Sequence, residues 1–258
     1  MFDSRFELFL ADTDDGIALN QRVRYQVFCL EKGFEDAAEF PDGREHDKWD
    51  DVSIHFVVRE RATGHWVAAT RIILPLADQF PVEEQEGFVP GHAEGIPRHT
   101  LSEVSRICIV RDGGAVVAFP GGPSGAWTEE VAGVSDRRRE RDVLVGLVRA
   151  ITEYALDHGL RLGYMLITDA FAKLLQRLGV VFHQVGEKTE YRGMRAPYCI
   201  DYALSKHHMC ARSAEIAELF EAWDQAYRPI SDLRLRAVPR FIVSGPVVSS
   251  SHKVARRS

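Results

Sequence analysis

No apolar run in the chain approaches the roughly 18 residues that a membrane-spanning helix needs. Its first residues include Asp3, Arg5 and Glu7, where a secretory leader would need an apolar centre. Both absences point to a cytoplasmic protein. Cysteine is sparse: Cys29, Cys108, Cys199 and Cys210 are scattered and form no CxxC pair. Buried thiols in a reducing compartment are expected, rather than a disulfide frame or a zinc site. Lys206-His207-His208-Met209-Cys210 has no second ligand cluster to complete a metal site. Positive charge is not in excess either. A formal net charge of −6 argues against nucleic acid as a partner, because phosphate recognition needs a basic footprint. Internal repeats are lacking. What is present is a globular balance, 45% hydrophobic and 27% charged, enough for a packed core in 258 residues.

Residues 5–10 alternate as a first strand does, and Asp14 and Asp15 introduce a helix over 16–33 that ends near Gly33. An acidic loop over 35–51 leads to two β-rich runs, 53–60 and 66–74, joined by a turn at 62–65. After an irregular stretch to about 100, residues 102–110 read as another strand, and 112–125 as a Gly- and Pro-rich loop. Ser135 and Asp136 then cap a long amphipathic helix running to about 158. A strand at 162–168, a helix at 170–178 and strands near 180–185 and 198–205 follow. A last helix over 213–226 docks on the domain. This order suits one mixed α/β sheet with helices on both faces. Residues 1–227 form the domain, and 228–258 a basic, partly flexible tail whose contact with anionic lipid is an open reading.

Four patterns carry the chemistry. The first helix holds Arg24-x-x-x-Phe28, a guanidinium and a ring one helical turn apart. The acidic loop holds Glu45-x-Asp47-x-x-Asp50, the second hairpin strand ends at Arg71, and the next strand holds Glu103-x-Ser105-Arg106. Strand alternation places Glu103 and Ser105 on one side, with Ile107 and Ile109, and Arg106 on the other. Each pattern alone has a structural explanation; their joint occurrence is informative.

As a set and in this order, these motifs resemble those of the acyl-homoserine lactone synthases. The likeness extends to longer relatives, the long-chain N-acyl amino acid synthases and the acyltransferases associated with exosortase/PEP-CTERM systems. Leu178-Gly179-Val180-Val181-Phe182 and Tyr191-Arg192-Gly193-Met194-Arg195-Ala196-Pro197-Tyr198 resemble the second half of that group, so the likeness covers about residues 5–205. It implies a GNAT-like fold (acyl-CoA N-acyltransferase) with an added C-terminal helix. Two departures stand out. The tryptophan usual after the helix phenylalanine is absent, its nearest aromatic being Phe34, which weakens S-adenosylmethionine as acceptor. The loop 111–135 lacks the phosphate motif of acetyl-CoA-dependent GNAT enzymes; Gly121-Gly122-Pro123-Ser124-Gly125 is only loosely similar.

The resemblance therefore implies an N-acyltransferase with acyl carrier protein, bearing a phosphopantetheine thioester, as donor and partner, and with no bound cofactor. The acceptor is the amine of an amino acid or similar small molecule. Glu103 is the candidate base, with Ser105 and Arg106 beside it as catalytic candidates; Arg106 either clamps a carboxylate or locks Glu103. Arg24, Phe28, Phe34, Glu45, Asp47, Asp50 and Arg71 are candidates for the acceptor side. Arg137, Arg138, Arg139 and Arg141 oppose the dipole of their helix, which suits an anionic carrier docking there. Cys108 is either a nucleophile or, between two isoleucines, core. Leu101, Ile107, Ile109, Leu144, Leu147, Ile151, Met165 and Ile167 either line an acyl slot or fill the core. A lactone-forming synthase using S-adenosylmethionine and a non-catalytic acyl-carrier or lipid-binding module remain as alternatives.

Overall fold

The opening alternation is a strand, β1 (Phe6–Leu10), preceded by one helical turn, α1 (Phe2–Arg5). The structure, a computed structural model, describes residues 2–76, 79–89, 91, 93–111, 134–222 and 226–233. Gly121–Gly125, Trp223 and the tail beyond 233 lie outside the described residues. The first long helix, α2 (Asp14–Tyr25), is capped by Thr13, whose side chain accepts the Gly16 N–H at 3.1 Å. Asp14 and Asp15 are thus not the cap but part of the first turn, where their charge complements the helix dipole. The helix also does not run on as α to Gly33. It widens into a π-helical segment, Gln26–Glu31, the irregular winding that tends to occur at functional sites.

The hairpin of β2 (Ser53–Glu60) and β3 (Trp66–Ile73) is followed by β4 (Leu101–Ile109), α3 (Val134–Asp157), β5 (Leu162–Ile167) and α4 (Asp169–Leu178). Because α3 already begins at Val134, Ser135 and Asp136 fall inside its first turn rather than before it. Short strands β6 (Phe182–Gln184) and β7 (Thr189–Glu190) precede β8 (Met194–Asp201). The strand expected to 205 stops at Asp201, whose side chain accepts the Leu204 N–H at 2.9 Å and starts an unforeseen helix, α5 (Tyr202–Arg212). The expected last helix is the shorter α6 (Ala214–Glu221). Past residue 227, β9 (Arg228–Pro229) pairs with β1, and Ile230 is fully buried, so the folded chain continues to Leu233. Among the described residues no helix is long and apolar enough to cross a membrane.

The strands form one mixed sheet in the order β6-β8-β5-β4-β3-β2-β1-β9, with β7 on β8. Pairs from β1 to β4 are antiparallel, β4 and β5 are parallel, and β5 and β8 are antiparallel. One face packs Phe6, Leu8, Phe56 and Ile72 on Leu144, Leu147 and Ile151 of α3, with α5 and α6 behind. The other packs Phe9, Val57 and Ala69 on Val23 and Val27. Further along, Phe80 and Val82 cover Ile73, Leu101 and Tyr164.

Gly163 is required where β5 meets α5. A β-carbon there would lie 2.1 Å from the Tyr202 hydroxyl, which shares a 2.8 Å hydrogen bond with Ser102. Gly163→Ala is expected to cost about 1–3 kcal/mol of stability, as overpacking does, measured by urea unfolding. An unchanged midpoint would show that this junction is not tightly packed.

Candidate active site

Strand β4 carries the centre, and a bulge decides which way its side chains point. Ala69 pairs with Cys108, but Arg71 pairs with Ser105, so β4 has one residue more than β3 across this stretch. Arg106 takes up the difference at φ 57°. Strict alternation is therefore broken: Arg106 turns to the same side as Ser105, and both reach the same charge cluster. Beyond the bulge the parity is reversed. Ile107 and Ile109 pack with the α3-side core, and Cys108 packs with Val23 and Val27.

The cluster is built from distant segments. Arg71 bonds Asp47 at 2.6 and 2.8 Å, Asp50 at 2.6 Å and the Ser105 hydroxyl at 2.9 Å. Arg24 holds Glu45 at 2.5 Å and Asp50 at 2.6 Å. Arg106 holds Glu45 at 3.1 Å and Asp47 at 2.9 Å. Farther out, Arg192, from the turn between β7 and β8, pairs with Glu35. Burial alone would raise Asp50, but Arg24 and Arg71 outweigh it and hold its carboxyl well below the usual range. Asp47 is lowered in the same way, burial being outweighed by Arg71 and Arg106. Arg24, Glu45 and Asp50 are buried behind the cavity wall and do not line it. The π-helical winding parts Arg24 from Phe28, and the ring of Phe28 faces the cavity with the Arg106 guanidinium 5.8 Å from its centre.

Glu103 is different. It is 3% exposed, and its Oε2 accepts the Val82 N–H at 2.8 Å. Burial pushes its carboxyl up to about 8, against the opposing pull of Val82, Arg71 and Arg106. Burial, not neighbouring carboxylates, is thus the main cause; Glu83 adds only a minor push.

Glu103 faces a cavity of about 480 Å³, within the range of about 300–1,000 Å³ usual for small-molecule sites. Its polar wall has Asp47, Arg71, Ser105 and Arg106, with Phe28, Phe34 and Trp49 nearby. Its apolar wall has Val104, Ile107, Leu166, Ile167 and Phe171. Residues from both sheet faces share one cavity because the sheet opens here: β4 and β5 pair only from Leu101–Leu162 to Glu103–Tyr164. Of the residues weighed for an acyl slot, Ile107 and Ile167 line it; Leu144, Leu147, Ile151 and Met165 belong to the α3 core, and Leu101 packs with Phe80.

Cys108 is buried and its thiol is pushed up to about 12 by burial, which leaves it no thiolate near neutral pH. Among the basic residues of α3, Arg137, Arg138 and Arg141 are exposed, while Arg139 is buried and donates to the Val110 carbonyl at 3.0 Å. Among the described residues no group of three His, Cys, Asp or Glu side chains is placed to hold a metal. Sequence reasoning gave no role to Lys32, Trp49, Tyr191, Arg192 or Arg195, all of which line the cavity. The two arginines flanking Gly193-Met194 were the only local signal.

Residues 23–113, which include every candidate from Arg24 to Arg106, match the family described as acetyltransferase (GNAT) domain. No curated protein matches the chain significantly. Among solved structures, the fold is similar to TofI, solved in a ternary complex with an inhibitor and MTA. That match has 19% identity and a TM-score of 0.56 over 80% of this chain and 95% of that one. BjaI, a CoA-dependent acyl-homoserine lactone synthase solved with SAM and isopentyl-CoA, matches at 16% identity and a TM-score of 0.55. The match covers 83% of this chain and 89% of BjaI. Over residues 23–113 the chain thus resembles a GNAT acetyltransferase domain, and as a whole it is similar in fold to TofI and to the acyl-homoserine lactone synthase BjaI.

Proposed function

We propose that the protein is an N-acyltransferase that moves a fatty acyl group from a carrier thioester to the amine of an amino acid or similar small molecule. The observation that carries this reading is the position of Glu103, a buried carboxylate facing a cavity at the place where β4 and β5 separate. The thioester enters between the strands, with its acyl chain against Val104, Ile107, Ile167 and Phe171. The amine enters on the side of Asp47, Arg71 and Arg106. Its nitrogen attacks the thioester carbonyl carbon; the C–N bond forms, the C–S bond breaks and the thiol leaves. Glu103, directly or through water, takes the proton the amine must lose, and that proton balances the departing thiolate. Backbone N–H groups of β4 beyond Glu103, on the edge that no longer pairs with β5, meet the oxyanion. Arg71 and Arg106 hold the polar wall in place. No covalent enzyme intermediate is needed.

The donor in this reading is acyl carrier protein, and Arg138 and Arg141 at the start of α3 form its docking patch. Charge reversal at both is expected to weaken carrier binding, more so at low salt. Salt-independent, unchanged affinity would retire the patch.

A lactone-forming synthase is the second reading, favoured by the fold shared with TofI and BjaI and by aromatic rings, Phe28, Phe34 and Trp49, beside Asp47 in the cavity. One assay separates the two. Purified protein is given acyl carrier protein or CoA thioesters and a pool of amino acids, with or without S-adenosylmethionine, while thiol release is followed. Release that needs an amino acid alone supports the proposal; release that needs S-adenosylmethionine and yields methylthioadenosine supports the alternative. No release with any acceptor, despite carrier binding, points to a binding module.

A further inference from the structure

Five cationic side chains line the cavity: Lys32, Arg71, Arg106, Arg192 and Arg195. Three of them are spoken for. Arg71 is neutralised by Asp47 and Asp50, Arg106 by Glu45 and Asp47, and Arg192 by Glu35. Arg195, at the start of β8, pairs with Thr189 of β7 through its backbone, but its side chain forms no ion pair or hydrogen bond among the described residues, and its Nε is buried without a partner. Its guanidinium lies 5.9 Å from the centre of the Phe34 ring, and Lys32 Nζ lies 5.7 Å from the same centre. Lys32 likewise has no ion pair among the described residues. Burial and the like charges of Arg192 and Arg106 disfavour the charged form of Arg195. A partly buried guanidinium so placed is costly unless an anion meets it.

We propose that Arg195, assisted by Lys32, is the receptor for the carboxylate of the acceptor, with Phe34 as the floor between the two cations. The proposal rests on the N-acyltransferase reading and narrows it: the acceptor is an amino acid with a free carboxylate, not a simple amine. The geometry favours the acceptor end of the cavity. Arg195 stands near Arg106 and Phe34, on the side of Asp47 and Glu103, whereas the apolar acyl wall lies on the α3 side. An arginine suits the task because its planar fork pairs with both oxygens of a carboxylate.

Two measurements test this, and one does not depend on turnover. In the first, N-dodecanoylglycine and N-dodecanoylglycinamide are titrated calorimetrically into native protein and into Arg195→Gln and Arg195→Lys, each checked for a native circular dichroism spectrum. Native protein is expected to bind the acid roughly tenfold or more tighter than the amide, as a charge-assisted hydrogen bond provides. Arg195→Gln should erase the difference and Arg195→Lys should keep part of it. Equal affinity for the two probes in native protein, including no binding of either, overturns the proposal. In the second, the protein amino acids and their amides are compared as acceptors, and CoA binding is measured alongside. A loss of acid-over-amide preference in Arg195→Gln, carried mainly by KM, supports it. An unchanged preference with weakened CoA binding assigns Arg195 to a donor phosphate and overturns it. If native protein separates the probes but acylates nothing, the carboxylate receptor stands and the N-acyltransferase reading falls.

Discussion

Replacing Glu103 with glutamine is expected to lower kcat/KM for acyl transfer by roughly a hundredfold or more, the range of a lost general base, while donor affinity holds. The substitution keeps an oxygen to accept the Val82 N–H, so the local fold should persist. The pH profile gives a sharper test. With its carboxyl pushed up to about 8 by burial, Glu103 is mostly protonated at neutral pH and becomes a base as pH rises through that value. Native activity should therefore climb through about pH 8 and level off once Glu103 and the acceptor amine are both free of their protons. Glu103→Gln should keep only the rise that follows the free amine. Stability carries the same signature. Between the ordinary 4.5 and about 8 the folded protein holds a proton that the unfolded chain has lost, so native stability falls as pH rises across that window. The loss is about 1.4 kcal/mol for each unit of the shift, and Glu103→Gln should remove it. Comparable rates in native protein and variant would take Glu103 out of the base role.

Asp50→Asn should be among the most destabilising single changes in the described chain. Asp50 Oδ1 is shared by Arg24 and Arg71 at 2.6 Å each, and both arginines are fully buried. Removing one partner of such a set leaves buried charge uncompensated, which costs about 3–5 kcal/mol. In a domain of this size that is a fall in Tm on the order of 10 °C. Arg24→Met should behave similarly, because it strips Glu45 and Asp50 of a partner at once. The same ion pairs set the acid limit. Asp50 and Asp47 are lowered in the folded state, so their contribution is present above the ordinary 3.8 and lost as pH falls below it. A drop of under about 1 kcal/mol for Asp50→Asn, the value of a surface pair, would mean that the cluster does not hold α2 to the sheet.

The parts legible in the sequence were those with a local signal. The hairpin at 53–73, the strand at 101–109 and the long helix to Asp157 stand where periodicity and turn residues placed them. The charged motifs were visible as a set because each sits on its own element. Their division of labour was not visible. Arg24, Glu45 and Asp50 lock α2 and the acidic loop to the sheet, while Asp47, Arg71, Ser105 and Arg106 reach the cavity. The bulge at Arg106 was hidden because one extra residue leaves no mark on a strand pattern, yet it reverses every side chain after it. The π-helical segment at Gln26–Glu31 was hidden for the same reason, since its residues suit an ordinary helix. Helix α5 was missed because its start, Asp201, lies inside a β-rich run and its cap could be read only from the backbone. Arg195 and Lys32 come together across 163 residues of sequence, through the opening between β4 and β5 and the turn before β8.

The most direct test of acyl transfer to an amine is mass spectrometry of lipid extracts from cells expressing the native protein or Glu103→Gln. The account predicts new masses equal to a fatty acyl group joined through an amide to a carboxylate-bearing amine, present with the native protein and absent with the variant. An unchanged set of acyl amines in both extracts, in cells where each protein is folded and abundant, would contradict it.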